Sequence, residues 1–331
     1  GANLKTLTTL LDEEFSKKNP DLAERNIKTA RAGYDVVREH FSKFITPRLT
    51  PRRPASKKLV VTGNEAAALG SIAAGLQFAS VYPMTPTSAI LHTLAPLQEH
   101  YGFIYEQPED EIAALTMAIG ASFSGARSLV ATAGGGFCLM TEAYGLAAMT
   151  ETPVVIIVGM RGGPATGLPT WTEQADLQFV LHAHQGEFAR IVLAPGDTTE
   201  AFEMTREAFN LADRYQTPVI VLMDKHLCES QQSTIPFTTG TYRIDRGSLY
   251  KTTKLTPPYA RYALTADGIS PRAFPGSGHH ILANSDEHTE YGFSSEDGTN
   301  RKLMMKKRLQ KEAVCAKKDL PNPTIYGPKN A

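Results

Sequence analysis

Apolar and polar positions between residues 57 and 230 follow two alternating patterns, which predict strands followed by helices. Short apolar runs, rich in β-branched residues, predict strands at 59–61, 78–81, 104–105, 128–131, 153–158, 191–193 and 218–223. Apolar positions at helical spacing predict helices at 66–76, 88–99, 109–122, 137–149 and 198–215, with caps at Asn64, at Thr87 or Ser88, and at Asp197 or Thr198. Strands that alternate with helices favour an α/β fold with a parallel sheet flanked by helices.

The first 56 residues have a helical pattern of their own. Leucines at 4, 7, 10 and 11 predict a short amphipathic helix, and apolar residues from Ile27 to Phe41 predict a second one. Residues 46–58 contain three prolines and five positive charges, so they predict an exposed linker. We interpret 1–56 as a helical arm and linker; the alternative is an arm that packs against the rest of the chain.

The pattern changes again after residue 230. Thr, Ser, Gly and Pro predominate up to about residue 280, and a basic helical pattern with spaced apolar residues follows at 301–318. A long segment with little periodicity is usually a functional loop, an arm that wraps a partner, or a disordered stretch. We therefore predict an extended linker or arm at 231–331.

Composition and charge narrow the function classes. The 331 residues are 42% hydrophobic, enough for a substantial core, and the formal net charge of zero gives no support for nucleic-acid or anionic-membrane binding. No apolar run reaches the roughly 18 residues of a membrane span, and the first residues lack a signal-peptide pattern. The three cysteines are far apart, so no zinc ribbon or four-cysteine iron–sulfur ligand set is present, and we expect a reducing cytoplasm.

One stretch, Tyr82-Pro83-Met84-Thr85-Pro86-Thr87-Ser88, separates a predicted strand from a predicted helix. Its two prolines restrict the residues before them, so the Thr85 hydroxyl is held where a strand ends. The carboxyl ends of parallel strands line the ligand crevice of α/β sheets. An ordinary proline-set turn explains the same residues and stays an alternative.

The same stretch resembles the Tyr-Pro-Ile-Thr-Pro-Ser-Ser motif of the alpha subunits of 2-oxoacid:ferredoxin oxidoreductases. The likeness continues in the same order through further motifs and covers most of 57–310; these motifs occupy 106–114, 132–137, 161–170 and 172–174. It implies that 57–230 is a pyrimidine-type thiamine diphosphate-binding domain. It also implies that 1–56 is the tail of a fused gamma domain and that a further α/β domain is missing after 331. Because the chain starts at Gly1 without a methionine, we expect a processed or truncated chain.

The resemblance implies an activity, cofactors and partners. The reaction is oxidative decarboxylation of a 2-oxoacid, such as pyruvate or 2-oxoglutarate, with coenzyme A to acyl-CoA, carbon dioxide and reduced ferredoxin. Thiamine diphosphate would be shared with a beta subunit that carries Mg²⁺ and a [4Fe-4S] cluster, in a hetero-oligomer. A non-catalytic assembly module whose arms wrap a partner is the alternative. A nucleotide-binding domain is disfavoured because the glycine fingerprints of such domains are missing.

Glu111 is the first candidate catalytic residue. Carboxylates at a helix N-terminus are favoured by the helix dipole, and this suffices for Glu109 and Asp110. Glu111 points inwards, next to the apolar run 112–119. A carboxyl in such apolar surroundings can share a proton with a base. The resemblance implies that Glu111 hydrogen-bonds N1′ of the thiamine aminopyrimidine and so promotes the imino tautomer that removes the C2 proton.

Arg161 is the second candidate, because it follows the buried strand at 153–158 and a guanidinium can hold a carboxylate with two hydrogen bonds. The resemblance implies that Arg161 binds the substrate carboxylate, with Thr85 bonding the same carboxylate or the 2-oxo oxygen. It also assigns Pro83 and Thr85 to the cofactor site. An exposed loop arginine is the alternative.

Other polar or glycine positions near the motifs have weaker interpretations. Gly134-Gly135-Gly136 could cradle phosphate, but close approach of the backbone to a neighbour or cofactor ring fits their spacing better. Ala133 replaces a hydroxyl residue of the family pattern. A polar loop that could border the substrate or partner contains Thr166, Thr170 and Glu173, with Trp171 as a possible interface anchor. We expect His182 and His184 to be satisfied histidines rather than metal ligands.

Overall fold

The computed structural model describes residues 3–45, 56–238, 240, 242–252, 258–320 and 327–328, in two compact units, 1–56 and 57–331. The first unit contains helices α1 (Leu4–Phe15) and α2 (Pro20–Val36), and a π-helical turn continues α2 over Val37–Phe41. Asn19 caps α2 by accepting a hydrogen bond from the Leu22 N–H. Most of the predicted linker (46–55) and most of the chain end (321–326 and 329–331) lie outside the described residues.

The second unit is built on two sheets. A two-stranded antiparallel sheet pairs β1 (Leu59–Val61) with β8 (Gln232–Thr234). The main sheet has six parallel strands in the order β3-β2-β4-β5-β7-β6: β2 (Phe78–Ser80), β3 (Ile104–Glu106), β4 (Ser128–Ala133), β5 (Val154–Met160), β6 (Ile191–Leu193) and β7 (Pro218–Asp224). The predicted parallel sheet is confirmed, although the first predicted strand belongs to the small sheet.

Helices connect these strands and flank the main sheet. They are α3 (Gly63–Ala73), α4 (Ser88–Leu94), α5 (Gln98–Tyr101), α6 (Glu111–Phe123), α7 (Gly134–Met149), α8 (Leu177–His182), α9 (Thr198–Tyr215), α10 (Lys225–Glu229) and α11 (Gly298–Lys318). The predicted bounds of α9 and its Asp197 cap are confirmed. The predicted helix at 88–99 is interrupted by a 3₁₀ turn over Ala95–Leu97, where Pro96 offers no backbone N–H.

The cap predicted at Asn64 is wrong. Thr62 caps α3 through a capping box with Glu65: each side chain bonds the other residue's backbone N–H. Asn64 is instead buried, and its amide donates to the carbonyl of Pro86 at 2.7 Å. A residue that appeared to start a helix therefore anchors the Tyr82–Ser88 stretch.

The core lies on both faces of the main sheet. Successive residues of β5 alternate between the two faces: Val155 and Ile157 pack in one apolar cluster, Ile156 and Val158 in the other. All seven residues of β5 are buried, as its unbroken apolar sequence predicts for a central parallel strand. Among the described residues, no helix combines the length and apolarity that a membrane crossing requires.

The segment after β8 has little regular structure before α11, and buried charges hold that helix in place. Lys307 and Lys311 place their ammonium groups 2.5 and 2.6 Å from the carboxylate of Glu151, which is fully buried. Burial alone would raise the pKa of Glu151, but these two lysines hold it well below its usual range. The basic stretch predicted at 301–318 therefore contributes buried ion pairs as well as a solvated face.

Candidate active site

Three adjacent strands of the main sheet deliver the predicted site residues to one edge. The Tyr82–Ser88 stretch follows β2, Gly134 follows β4 directly, and Arg161 follows β5 directly. Since these strands are parallel neighbours, their carboxyl ends meet at the same edge, which is where α/β sheets bind ligands. Glu111 begins the helix after β3, which pairs in parallel with β2, so it starts from the same edge as Thr85 and Arg161.

Arg161 and Thr85 are in direct contact. The half-buried guanidinium of Arg161 donates from Nη1 to the backbone carbonyl of Thr85 at 2.8 Å. The carbonyl of Thr85, rather than its hydroxyl, therefore positions the arginine. One bond to a carbonyl uses a single donor of the guanidinium fork, so donors remain for a ligand.

The loop from Tyr82 to Ser88 packs tightly against β5. The Thr85–Pro86 peptide bond is cis, and Pro86 and Thr87 lie so close to Gly159 that a Cβ there would come within 2.7 Å of both. Thr87 occupies the cap position of α4 as predicted, yet its hydroxyl donates to the Met84 carbonyl instead of capping the helix. Pro83 lies exposed at the rim of the loop, open to a ligand or a partner.

Glu111 is the first residue of α6 and is only 3% exposed. Its Oε1 atom is buried without a hydrogen-bond partner within the described residues. Asp110 differs: it is exposed and caps α6 by accepting from the Ala113 N–H at 2.7 Å. A buried acceptor without a donor is unfavourable by itself, so Oε1 of Glu111 is open to a hydrogen bond from a ligand or a water molecule.

Gly136 lies against this carboxyl. A Cβ at Gly136 would lie 2.5 Å from Oε1 of Glu111 and would collide with Oγ1 of Thr132, a second buried atom that has no hydrogen-bond partner among the described residues. Gly134 likewise leaves space for the carboxylate of Asp176. These contacts support close approach of the backbone, the alternative that the spacing of the glycines favoured. Ala133 occupies the N-cap position of α7, where its methyl side chain makes no hydrogen bond.

Replacing Gly136 by alanine is therefore expected to destabilise the protein. Overpacking of this kind costs about 1–3 kcal/mol of the free energy of unfolding. The matched control is Gly135→Ala, where the nearest contact of the new methyl would be the Ala165 carbonyl at 3.8 Å. Because alanine favours helices over glycine, the control should be neutral or stabilising. Equal urea midpoints for the two variants would contradict the packing argument.

The loop after β5 folds back over the same edge. Gly162 pairs with Leu168 in an antiparallel bridge, and Gln174 donates to the carboxylate of Asp224, at the end of β7, at 2.6 Å. Within this loop, Trp171 is 68% exposed. Thr166, Thr170 and Glu173, for which a role was only weakly predicted, are also exposed.

Asp176 is a residue at this edge that the sequence did not reveal. Burial, and then the charge of Glu173, raises the pKa of Asp176, whereas Arg161 lowers it, so the two side chains are electrostatically coupled. Within the described residues, the Oδ2 atom of Asp176 is buried without a hydrogen-bond partner. In the sequence Asp176 directly precedes α8, so it resembles an ordinary helix cap and gives no sign of a role at this edge. In the structure its side chain makes no cap hydrogen bond.

The two histidines behave differently from one another. His182 is exposed and bonds the Gln178 carbonyl through Nδ1 at 2.8 Å, as a satisfied histidine would. His184 has a positive φ of 82° and packs its ring against Phe188, while its buried Nδ1 has no hydrogen-bond partner within the described residues. In the part of the chain that the structure describes, no group of three or more potential ligands could hold a metal ion.

The chain is similar to known proteins over the region that contains these motifs. The family model described as pyruvate flavodoxin/ferredoxin oxidoreductase, thiamine diP-bdg, matches residues 69–307. A 2-oxoacid:ferredoxin oxidoreductase subunit alpha from Saccharolobus solfataricus is 44% identical over 96% of this chain and 51% of that protein. A 2-oxoglutarate oxidoreductase subunit KorA from Mycobacterium tuberculosis is 35% identical over 94% of this chain and 48% of that protein.

A solved structure has the same architecture. The 2-oxoglutarate:ferredoxin oxidoreductase from Magnetococcus marinus, with 2-oxoglutarate, coenzyme A and succinyl-CoA bound, superposes with a TM-score of 0.86 and 34% identity. The match covers 98% of this chain and 56% of that chain. The present chain thus spans about half the length of these relatives.

Proposed function

The chain belongs to the pyruvate flavodoxin/ferredoxin oxidoreductase family, and from that premise we propose that it holds the pyrimidine half of a thiamine diphosphate site. The reaction proposed is oxidative decarboxylation of a 2-oxoacid with coenzyme A, which gives acyl-CoA, carbon dioxide and reduced ferredoxin. The relatives are named for 2-oxoacids or 2-oxoglutarate, so the substrate class is a 2-oxoacid. We place the reaction in the cytoplasm, where the three cysteines stay reduced.

The observation that carries the proposal is the buried, unpartnered Oε1 of Glu111 beside Gly136. An aromatic ring with a nitrogen to be protonated suits this place, because the carboxyl is buried and lacks a donor within the described residues. The residues present therefore fit the aminopyrimidine of thiamine diphosphate. When bound, that cofactor supplies the electron sink that decarboxylation of a 2-oxoacid requires.

The residues of this chain then have separate tasks. Glu111 holds a proton at Oε1 or Oε2 opposite the ring nitrogen. Arg161 binds the substrate carboxylate with the donors that the Thr85 carbonyl leaves free. Pro83 and Thr85 form the wall at the end of β2, and the loop at 162–176 limits the access of water from the side of β5 and β7.

The remaining chemistry is assigned to partners. We propose that a beta subunit provides the diphosphate and Mg²⁺ site and a [4Fe-4S] cluster, and that ferredoxin accepts the electrons from the assembled hetero-oligomer. An active site shared in this way is incomplete on one chain. The protein without its partner should therefore be unable to turn over.

Affinity purification of the tagged chain from its own cells tests this proposal. We expect a cysteine-rich iron–sulfur partner to co-purify, and the complex to reduce ferredoxin only when a 2-oxoacid, coenzyme A and thiamine diphosphate are all present. The chain stripped of its partner should give no reduction. Turnover by the chain alone would contradict the shared site, and a complex that needs no thiamine diphosphate would contradict the cofactor.

A further inference from the structure

The carboxyl group of Asp176 lies at the ends of two strands that carry the candidate site. It packs against Gly134, the residue after β4, where a Cβ would lie 2.6 Å from Oδ2 and 2.7 Å from Oδ1. Its charge also reaches Arg161, the residue after β5, which is the neighbouring parallel strand. Because the carboxyl ends of β4 and β5 meet at the ligand edge of the sheet, Asp176 belongs to the same edge as the guanidinium.

An aspartate directly before a helix usually caps that helix, and Asp176 does not. Four other described helices also follow an aspartate, and each of those carboxylates accepts a backbone N–H bond of 2.6–2.8 Å. These residues are Asp110, Asp197, Asp224 and Asp297. Among the described residues Asp176 accepts no hydrogen bond, although its Oδ2 atom is buried. The local structure of α8 therefore does not explain this carboxyl group.

Titratable side chains from three segments face the Asp176 carboxyl. Burial raises the pKa of Asp176, repulsion by Glu173 adds to that rise, and attraction by Arg161 opposes it. From α7, Cys138 senses the same charge, because Asp176 adds to the rise that burial causes in the pKa of the thiol. Arg161 is thus the positive neighbour of Asp176, yet the two side chains form no direct ion pair in the described part of the chain.

We propose that Asp176 is a positioning residue that supplies the counter-charge of Arg161 whenever the substrate carboxylate is absent. This inference rests on the proposed function, in which Arg161 holds the carboxylate of the 2-oxoacid. The reaction removes that carboxylate as carbon dioxide, so the guanidinium loses its anion in every cycle. A half-buried cation without a compensating charge is unfavourable, and Asp176 is the carboxylate whose charge reaches it at this edge.

The carboxylates of Asp176 and of the substrate then compete for one guanidinium. A protonated Asp176 leaves Arg161 to the 2-oxoacid, whereas a charged Asp176 weakens the attraction of Arg161 for it. Since the pKa of Asp176 is raised, this change falls above the pH range in which an ordinary aspartate titrates. KM for the 2-oxoacid should therefore rise as the pH increases through the pKa of Asp176.

Asp176→Asn tests this role, because asparagine keeps the shape of the side chain and removes its charge. In the assembled complex, at a pH well above the pKa of Asp176, KM for the 2-oxoacid should fall about 3–10-fold below that of the parent, the effect of one charge that acts without direct contact in a partly solvated site. Towards acidic pH the two KM values should converge, because Asp176 of the parent becomes neutral. KM for coenzyme A should change much less. A merely structural role would not improve substrate binding in a pH-dependent way.

Two further variants complete the test. Asp176→Ser is a second neutral variant, which excludes an effect of a new hydrogen bond from the asparagine amide, and it should lower KM as well. Glu142→Gln removes an exposed carboxylate of α7 that makes no hydrogen bond among the described residues, and it should keep the parent's KM profile. Unless both neutral variants lower KM at high pH, the role of Asp176 is overturned while the proposed function stands. A parent complex without 2-oxoacid-dependent reduction of ferredoxin would overturn the proposed function, and this inference with it.

Discussion

Replacing Glu111 by glutamine is expected to lower kcat/KM for the 2-oxoacid by about 10²–10⁴-fold, the range in which a positioned acid or base contributes. Glutamine has the shape of glutamate, so packing against Gly136 and Thr132 is kept. An amide cannot exchange a proton with a ring nitrogen, so the proton-sharing role is lost. The measurement is ferredoxin reduction by the complex that contains the variant, with thiamine diphosphate at saturation.

Glu109→Gln is the matched control for this variant. Glu109 is exposed and lies two residues before Glu111, ahead of the helix, and no hydrogen bond within the described residues depends on its carboxylate. Its kcat/KM should stay within about twofold of the parent, because surface substitutions usually have small effects. Near-normal rates with Glu111→Gln would remove Glu111 from the reaction. Loss of the complex in Glu111→Gln alone would point to a structural role instead.

Much of the fold could be predicted from the sequence because its strands are buried on both faces. Such strands appear as unbroken β-branched runs, as in β5 and β7, and the predicted parallel sheet is confirmed. The position of β1 could not be predicted, since a three-residue apolar run does not indicate its partner, and β8 is too short and polar to stand out. Local capping was also ambiguous: Thr62 and Asn64 are both good caps, and tertiary contacts decided between them.

The residues of the candidate site could likewise be predicted only in part. Motif positions such as Thr85, Glu111 and Arg161 could be selected from the sequence, because a strand end or a helix start limits where each one lies. Their assigned roles stay predictions. The roles of Asp176 and Gly136 depend on neighbours far away in the chain, which periodicity and spacing do not reveal.

Arg161→Ala is expected to raise KM for the 2-oxoacid and to lower its kcat/KM by about 10²-fold or more, since a hydrogen bond between charged groups in a buried site contributes about 1.5–3 kcal/mol and Arg161 can make two. KM for coenzyme A should change much less, because the guanidinium is assigned to the 2-oxoacid alone. Steady-state kinetics of the assembled complex with each substrate varied in turn would measure both effects.

The loss of the Thr85 contact must be separated from the loss of substrate binding, and Arg206→Ala serves this purpose. Arg206 is also half-buried, and it also donates from Nη1 to a backbone carbonyl, that of Thr238, at 2.9 Å. If both variants lose similar stability but only Arg161→Ala loses 2-oxoacid affinity, the guanidinium acts on the substrate. An unchanged kcat/KM in Arg161→Ala would leave Arg161 a loop anchor, and the carboxylate of the substrate would then need another cation, one that the partner subunit provides.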